Sequence, residues 1–212
     1  MRNLHTIPMK RSILTESFSI LALALCAIAL PARAQELVTN GDFELSATTS
    51  DFSGWTLSDL SFPVAQNIGR NATFAHSPSH YANLAGDPGP DSMSQTISTT
   101  PGTTYTFSFW LAHDVTPVLG NSFNVSWDST PVLSLSNLGI QSYTNGHYSF
   151  DITATGTSST IGFLYQDNDD FFRLDDVSVL AVPENSTMSL LFIGFGFLAS
   201  VYYRQRKVSR TI

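Results

Sequence analysis

Nine consecutive residues, Thr103-Thr104-Tyr105-Thr106-Phe107-Ser108-Phe109-Trp110-Leu111, alternate polar and apolar side chains. A period of two is that of a β-strand with one face buried, because successive side chains leave opposite sides of the backbone. Tyr105, Phe107, Phe109 and Leu111 share one face, and Trp110 falls on the other. The same period returns in Phe123, Val125 and Trp127, in Tyr148, Phe150 and Ile152, and in Ile161, Phe163 and Tyr165. Pro101-Gly102, Leu119-Gly120-Asn121, Asn145-Gly146 and Thr155-Gly156 separate these runs with turn-forming residues. No stretch between Gln35 and Ala181 has a helical period. Many short strands of this kind predict an all-β, two-sheet sandwich rather than a parallel α/β sheet.

The two ends have a different composition. Lys10 and Arg11 precede an apolar run from Phe18 to Leu30, and Ala32-Arg33-Ala34 supplies small residues at alternate positions. This is the pattern of a signal peptide over 1–34, cut by signal peptidase before Gln35; an uncleaved anchor is the alternative. At the other end Val182-Pro183-Glu184 opens a polar hinge. An almost wholly apolar stretch from Met188 to Tyr203 follows, and then Arg204, Arg206 and Lys207. Lipid solvates such a stretch while the basic cluster stays cytoplasmic, so 182–212 reads as a transmembrane helix with its hinge and stop-transfer end. The middle of the chain, 35–181, then lies beyond the inner membrane as a single domain of ordinary size.

Of seventeen acidic residues fifteen fall in that middle segment, against two of ten basic ones, Arg70 and Arg173, for a net charge of −13. Such a field repels phosphate backbones, so nucleic acid is excluded as a partner. The only cysteine, Cys26, lies in the signal segment. The exported domain therefore has no disulfide, thiolate metal site or cysteine nucleophile.

On Pro183, Glu184, Ser186, Thr187, Gly194, Gly196, Arg204, Arg206 and Lys207 the tail resembles the PEP-CTERM sorting signal of exported proteins from Gram-negative bacteria that also make exopolysaccharide. Asn185 stands where that signal usually has a second proline. The resemblance implies recognition by a membrane exosortase that cuts near Pro183-Glu184. The protein is then held first in the inner membrane and afterwards at the cell surface or outside the cell; an ordinary unprocessed anchor is the alternative.

A second resemblance covers most of 36–180. Leu37-Val38-Thr39-Asn40-Gly41-Asp42-Phe43-Glu44 with Gly54-Trp55-Thr56, and Phe172-Arg173-Leu174-Asp175-Asp176-Val177-Ser178-Val179, resemble the first and last strands of galactose-binding-like jelly rolls, a group that includes carbohydrate-binding modules. Leu174 and Val177 differ in strand parity, so burying both requires a bulge at Asp175-Asp176. With the first and last strands side by side, as the resemblance implies, Asp42, Glu44 and Asp176 converge. Carboxylates this close call for a cation, and oxygen donors suit a structural Ca²⁺.

Enzyme motifs are lacking. No Gly-x-Ser-x-Gly elbow, phosphate loop or dinucleotide fingerprint occurs; His113-Asp114 reads as a strand end, and Asp167-Asn168-Asp169-Asp170 as a solvated turn without the glycine and glutamate of an EF-hand. Pyranose rings stack on aromatic side chains, which makes Trp110 the candidate platform, with Trp55 and Trp127 in the core. The expectation is a non-enzymatic surface or matrix protein that engages extracellular polysaccharide; the rival is a cell-surface glycan hydrolase with two carboxylates flanking a cleft.

Overall fold

The computed structural model describes residues 34–58, 66–86, 89–114 and 120–183, together with Gly194, Gly196, Ala199 and Tyr202, which are helical. The signal segment before Ala34, with Ala32, and the tail residues Glu184, Arg204, Arg206 and Lys207 lie outside the described residues. Ala34 is half-buried and Gln35 exposed. Among the described residues no helix is long and apolar enough to cross a membrane.

Residues Ala34–Val182 form one compact unit. Among the described residues it has ten strands, β1 (Thr56–Ser58), β2 (Gln66–Arg70), β3 (His80–Leu84), β4 (Asp91–Ser98), β5 (Thr104–His113), β6 (Ser122–Trp127), β7 (Thr130–Ser136), β8 (His147–Thr153), β9 (Ser158–Gln166) and β10 (Phe172–Ala181). They build two five-stranded sheets, in the orders β1-β4-β9-β6-β7 and β2-β3-β10-β5-β8, with every pairing antiparallel. A 3₁₀ turn at Tyr143–Asn145 leads into β8. The expected all-β sandwich is what the chain forms.

The period-two faces are the reason. Tyr105, Phe107, Phe109 and Leu111 on β5 are buried, as are Phe123, Val125 and Trp127 on β6 and Ile161, Phe163 and Tyr165 on β9, whereas Thr104, Thr106, Ser108 and Trp110 are only partly so. The two inner faces meet in one aromatic layer. Phe163 lies 5.4–6.1 Å from the rings of Trp55, Phe107, Phe109 and Phe123. Tilted and edge-to-face pairs of this kind add about 0.5–1.5 kcal/mol each beyond the area they remove from water.

The bulge expected in β10 is present. The pairing of β10 with β5 shifts between Asp175 and Ser178, which lets Leu174 and Val177 both enter the core. Asp176 is the extra residue, with φ of 46°, in the left-handed region that aspartate tolerates better than most side chains. The first strand, by contrast, shrinks to a single bridge between Glu36 and Leu180. Asn40 and Phe43 take positive φ, so Asn40-Gly41-Asp42 turns the chain away from the sheet. Gly41 sits so close to Val177 that a Cβ would be 1.9 Å from its carbonyl oxygen, and in return Val177 N–H donates to the Gly41 carbonyl at 3.0 Å. The first and last segments do run side by side.

Candidate functional site

The outer face of the β2-β3-β10-β5-β8 sheet carries the chemistry. Register places Trp110 of β5 beside His147 of β8 on one side and Asp175 of β10 on the other. The turn before β8 brings Tyr143 to the same place. This approach depends on Gly146, where a Cβ would lie 1.8 Å from the Leu111 carbonyl oxygen.

Over this face lies the segment His76-Ser77-Pro78-Ser79-His80, held by three carboxylates. His76 and Ser77 N–H donate to Asp175 Oδ2 at 2.7 and 3.1 Å. Ser79 and His80 N–H donate to Glu44 Oε1 at 2.7 and 2.6 Å. Pro78 has no N–H, so every backbone donor of the segment meets a carboxylate. Side chains repeat the pattern. Ser77 Oγ donates to Asp176 Oδ1 at 2.7 Å, and the ring Nδ1 atoms of His76 and His80 contact Asp176 and Glu44. Burial opposes ionisation of Glu44, but the Ser79 and His80 donors outweigh it and hold its carboxyl below the usual range.

Asp175 has the opposite balance. It is fully buried. Burial, aided by the neighbouring Asp176 charge, overrides the N–H bonds from Ser77, Asp176 and His76 and pushes its pKa up to about 7. Tyr143 feels the same surroundings, with burial first and the Asp175 charge second raising its pKa. Its hydroxyl and Arg173 Nε are buried with no hydrogen-bond partner among the described residues. Arg173 pairs through Nη2 with Asp114 and lies 5.0 Å from the centroid of the Phe74 ring.

Trp110 is half-buried, on the face that strand parity predicts. His76 stacks on it with ring centroids 4.0 Å apart and planes 15° from parallel, and His147 lies at 4.4 Å. Two imidazoles this close to one indole cannot share a side of it. One arises from β8 and the other is held to β10, so they cover opposite ring faces. Tyr143 meets His76 edge-on at 5.5 Å. Sequence reasoning found Trp110 but not its covers, because His76 and the carboxylates that hold it are about a hundred residues apart in the chain. Trp55 and Trp127 are core residues, 8% and 4% exposed.

Of the three carboxylates considered for calcium, Asp42 and Asp176 line a cleft of about 390 Å³ together with Glu36, Asn40 and Gly41 among others, while Glu44 is not part of its lining. Their hard oxygen chemistry suits Ca²⁺. Their placement differs from the expected convergence. Glu44 is taken by Ser79 and His80, Asp176 by His76 and Ser77, and Asp42 Oδ1 accepts the Glu44 N–H at 3.3 Å. Among the described residues no three His, Cys, Asp or Glu are gathered as a ligand set.

At the far end of β5, His113 does end the strand, as read, but it is fully buried, with Nε2 2.7 Å from Asp167 Oδ2 and Nδ1 3.2 Å from the Gly139 carbonyl. Asp167 is therefore no solvated turn residue. Its Oδ1 accepts the Asp169 and Asp170 N–H groups at 3.2 and 3.3 Å, so the carboxylate organises the turn from inside.

No family model matches the chain, and no curated protein matches it. Solved structures do. The module TmCBM61, determined in complex with beta-1,4-galactotriose, matches with a TM-score of 0.51 at 15% identity, over 70% of this chain and 99% of that one. A carbohydrate-binding module described as CBM4 aligns with a TM-score of 0.43 at 19% identity, over 68% and 99% of the two chains. The K3 cleaved adhesin domain of Lys-gingipain from Porphyromonas gingivalis W83 aligns with a TM-score of 0.46 at 16% identity, over 70% and 99%. The fold is a jelly-roll sandwich like that of TmCBM61.

Proposed function

We propose that the β-sandwich binds a polysaccharide on the outer face of the β2-β3-β10-β5-β8 sheet and works without catalysis, as an exported surface or matrix protein. The observation that carries this reading is Trp110, the one tryptophan of three outside the core, set in a cluster with His76, His147 and Tyr143 on an otherwise Ser- and Thr-rich sheet face. Aromatic rings offer the apolar surface that pyranose C–H faces pack against. Asp151 on β8, Asp114 and Arg173 add polar groups of the kind that fix a sugar's orientation. A module of the same fold has been seen with a galactose oligomer bound, which supports the ligand class.

Delivery to the outside belongs to the same proposal. Signal peptidase acts at Ala32-Arg33-Ala34, and an exosortase-like enzyme reads Val182-Pro183-Glu184 with the basic end. Mass spectrometry of the mature protein from its native cell tests both through its measured termini.

Binding is tested by retention on a panel of polysaccharides that includes β-1,4-galactan. The wild type is expected to bind at least one member, and Trp110→Ala to lose about tenfold or more in affinity, as truncation of a buried aromatic anchor does. No retention by any member refutes the reading. Release of reducing ends from a bound polysaccharide would favour the hydrolase instead, with the cleft carboxylates Glu36, Asp42 and Asp176 as its candidates.

A further inference from the structure

We infer that the His76 side chain is a displaceable plug on the sugar platform: a pyranose reaches Trp110 by replacing the imidazole that is stacked there. The inference rests on the proposed polysaccharide binding and concerns how that site opens. Both ring faces of Trp110 are covered, one by His147 and one by His76. A ligand that stacks on the indole must therefore evict one of them. The two covers are held differently. His147 stands on β8 in direct register with Trp110, so the sheet itself keeps its Cβ beside the indole. His76 stands on a loop whose backbone is fixed through the N–H bonds of His76 and Ser77 to Asp175. Its side chain is attached only through the ring contact with Asp176 and the stack on Trp110, with Tyr143 edge-on beside it.

The ring can consequently leave by rotation about its side-chain bonds while the loop stays in place. Its side chain is already 30% exposed, and that of Asp176 26%. Asp176 keeps the Ser77 hydroxyl as a donor when the imidazole leaves, so the carboxylate is not left without a partner. The vacated place is bordered by Asp176, whose carboxylate the imidazole now contacts, and by the Tyr143 ring. An incoming sugar meets a hydrogen-bonding carboxylate there as well as the indole face. Flat C–H faces are selected, because the imidazole they replace lies on the indole with planes 15° from parallel.

The test uses the full-length protein and β-1,4-galactotriose as probe, with the His ring protons followed by NMR. In the free protein the ring protons of His76 are expected upfield, shifted by the indole current; on adding the sugar they return toward ordinary values, while those of His147 stay shifted. His76→Ala is expected to bind the trisaccharide roughly two- to tenfold more tightly, since no aromatic stack has to be broken first. Asp176→Asn, which weakens the hold on the ring and keeps a side chain suited to positive φ, gives a smaller gain. Binding by wild type with His76 still shifted upfield overturns the plug and leaves the polysaccharide reading standing, as does equal or weaker binding by His76→Ala. Binding by His76→Ala alone supports the plug. Failure of both wild type and His76→Ala to bind refutes the galactose-type ligand and the plug with it.

Discussion

Asp175→Asn separates the electrostatics of this site from its packing. The wild-type carboxyl ionises at about 7 when folded, against an ordinary 3.8. The folded protein therefore holds this proton more tightly than the unfolded chain, and through this group stability falls as pH rises from about 4 to about 7. The difference corresponds to about 4 kcal/mol, an upper figure for a buried group beside another acid. Asparagine cannot ionise. Its carbonyl oxygen can still accept the His76 and Ser77 N–H groups, but its NH₂ then faces the Asp176 N–H, which donates to Asp175 Oδ1 at 2.7 Å in the wild type. That lost bond costs about 1–3 kcal/mol at every pH. At pH 4 the variant is expected to be less stable than wild type by this amount; by pH 8 it should match or exceed it. Urea unfolding midpoints and slopes for the two proteins between pH 4 and 8.5 supply the comparison, and the other acids cancel in the difference because both proteins contain them. Parallel stability profiles, differing by a constant, would refute the burial argument.

Two further outcomes are expected. His113→Ala, which leaves the Asp167 carboxylate buried and unpaired, should lower unfolding stability by about 3–5 kcal/mol, whereas an apolar replacement of both residues together should recover most of that loss; equal losses in urea titrations of the single and double variants would contradict this. For calcium, an ion shared by Asp42, Glu44 and Asp176 should raise the thermal midpoint over that with chelator, by an amount equivalent to about 2.7 kcal/mol at a hundredfold excess over its Kd. Equal midpoints would mean that Glu44 and Asp176 stay on their His and Ser donors and would remove the ion.

Strand parity is local information, and much of the fold follows from it. Phe107, Phe109, Phe123 and Phe163 face inward because alternation along a strand leaves them no other side to share. The β10 bulge was legible for the same reason: Leu174 and Val177 are both apolar, and only an inserted residue reconciles their parity. The opening segment misled because Val38, Thr39 and Phe43 suggest a strand by composition, while Asn40-Gly41-Asp42 breaks it after one bridge.

What the sequence by itself determined is a cysteine-free acidic domain of alternating strands between two apolar ends, with Trp110 turned away from the core. These properties depend on neighbours a few residues apart. Tertiary structure alone decided that Glu44, Asp175 and Asp176 seize the 76–80 loop, that two imidazoles enclose Trp110, and that Asp167 sits buried against His113. Each of those contacts joins residues 34 to 100 positions apart. Polar side chains carry no periodic mark of their partner, and only the stacking of sheets and the docking of a loop bring such groups within hydrogen-bonding distance.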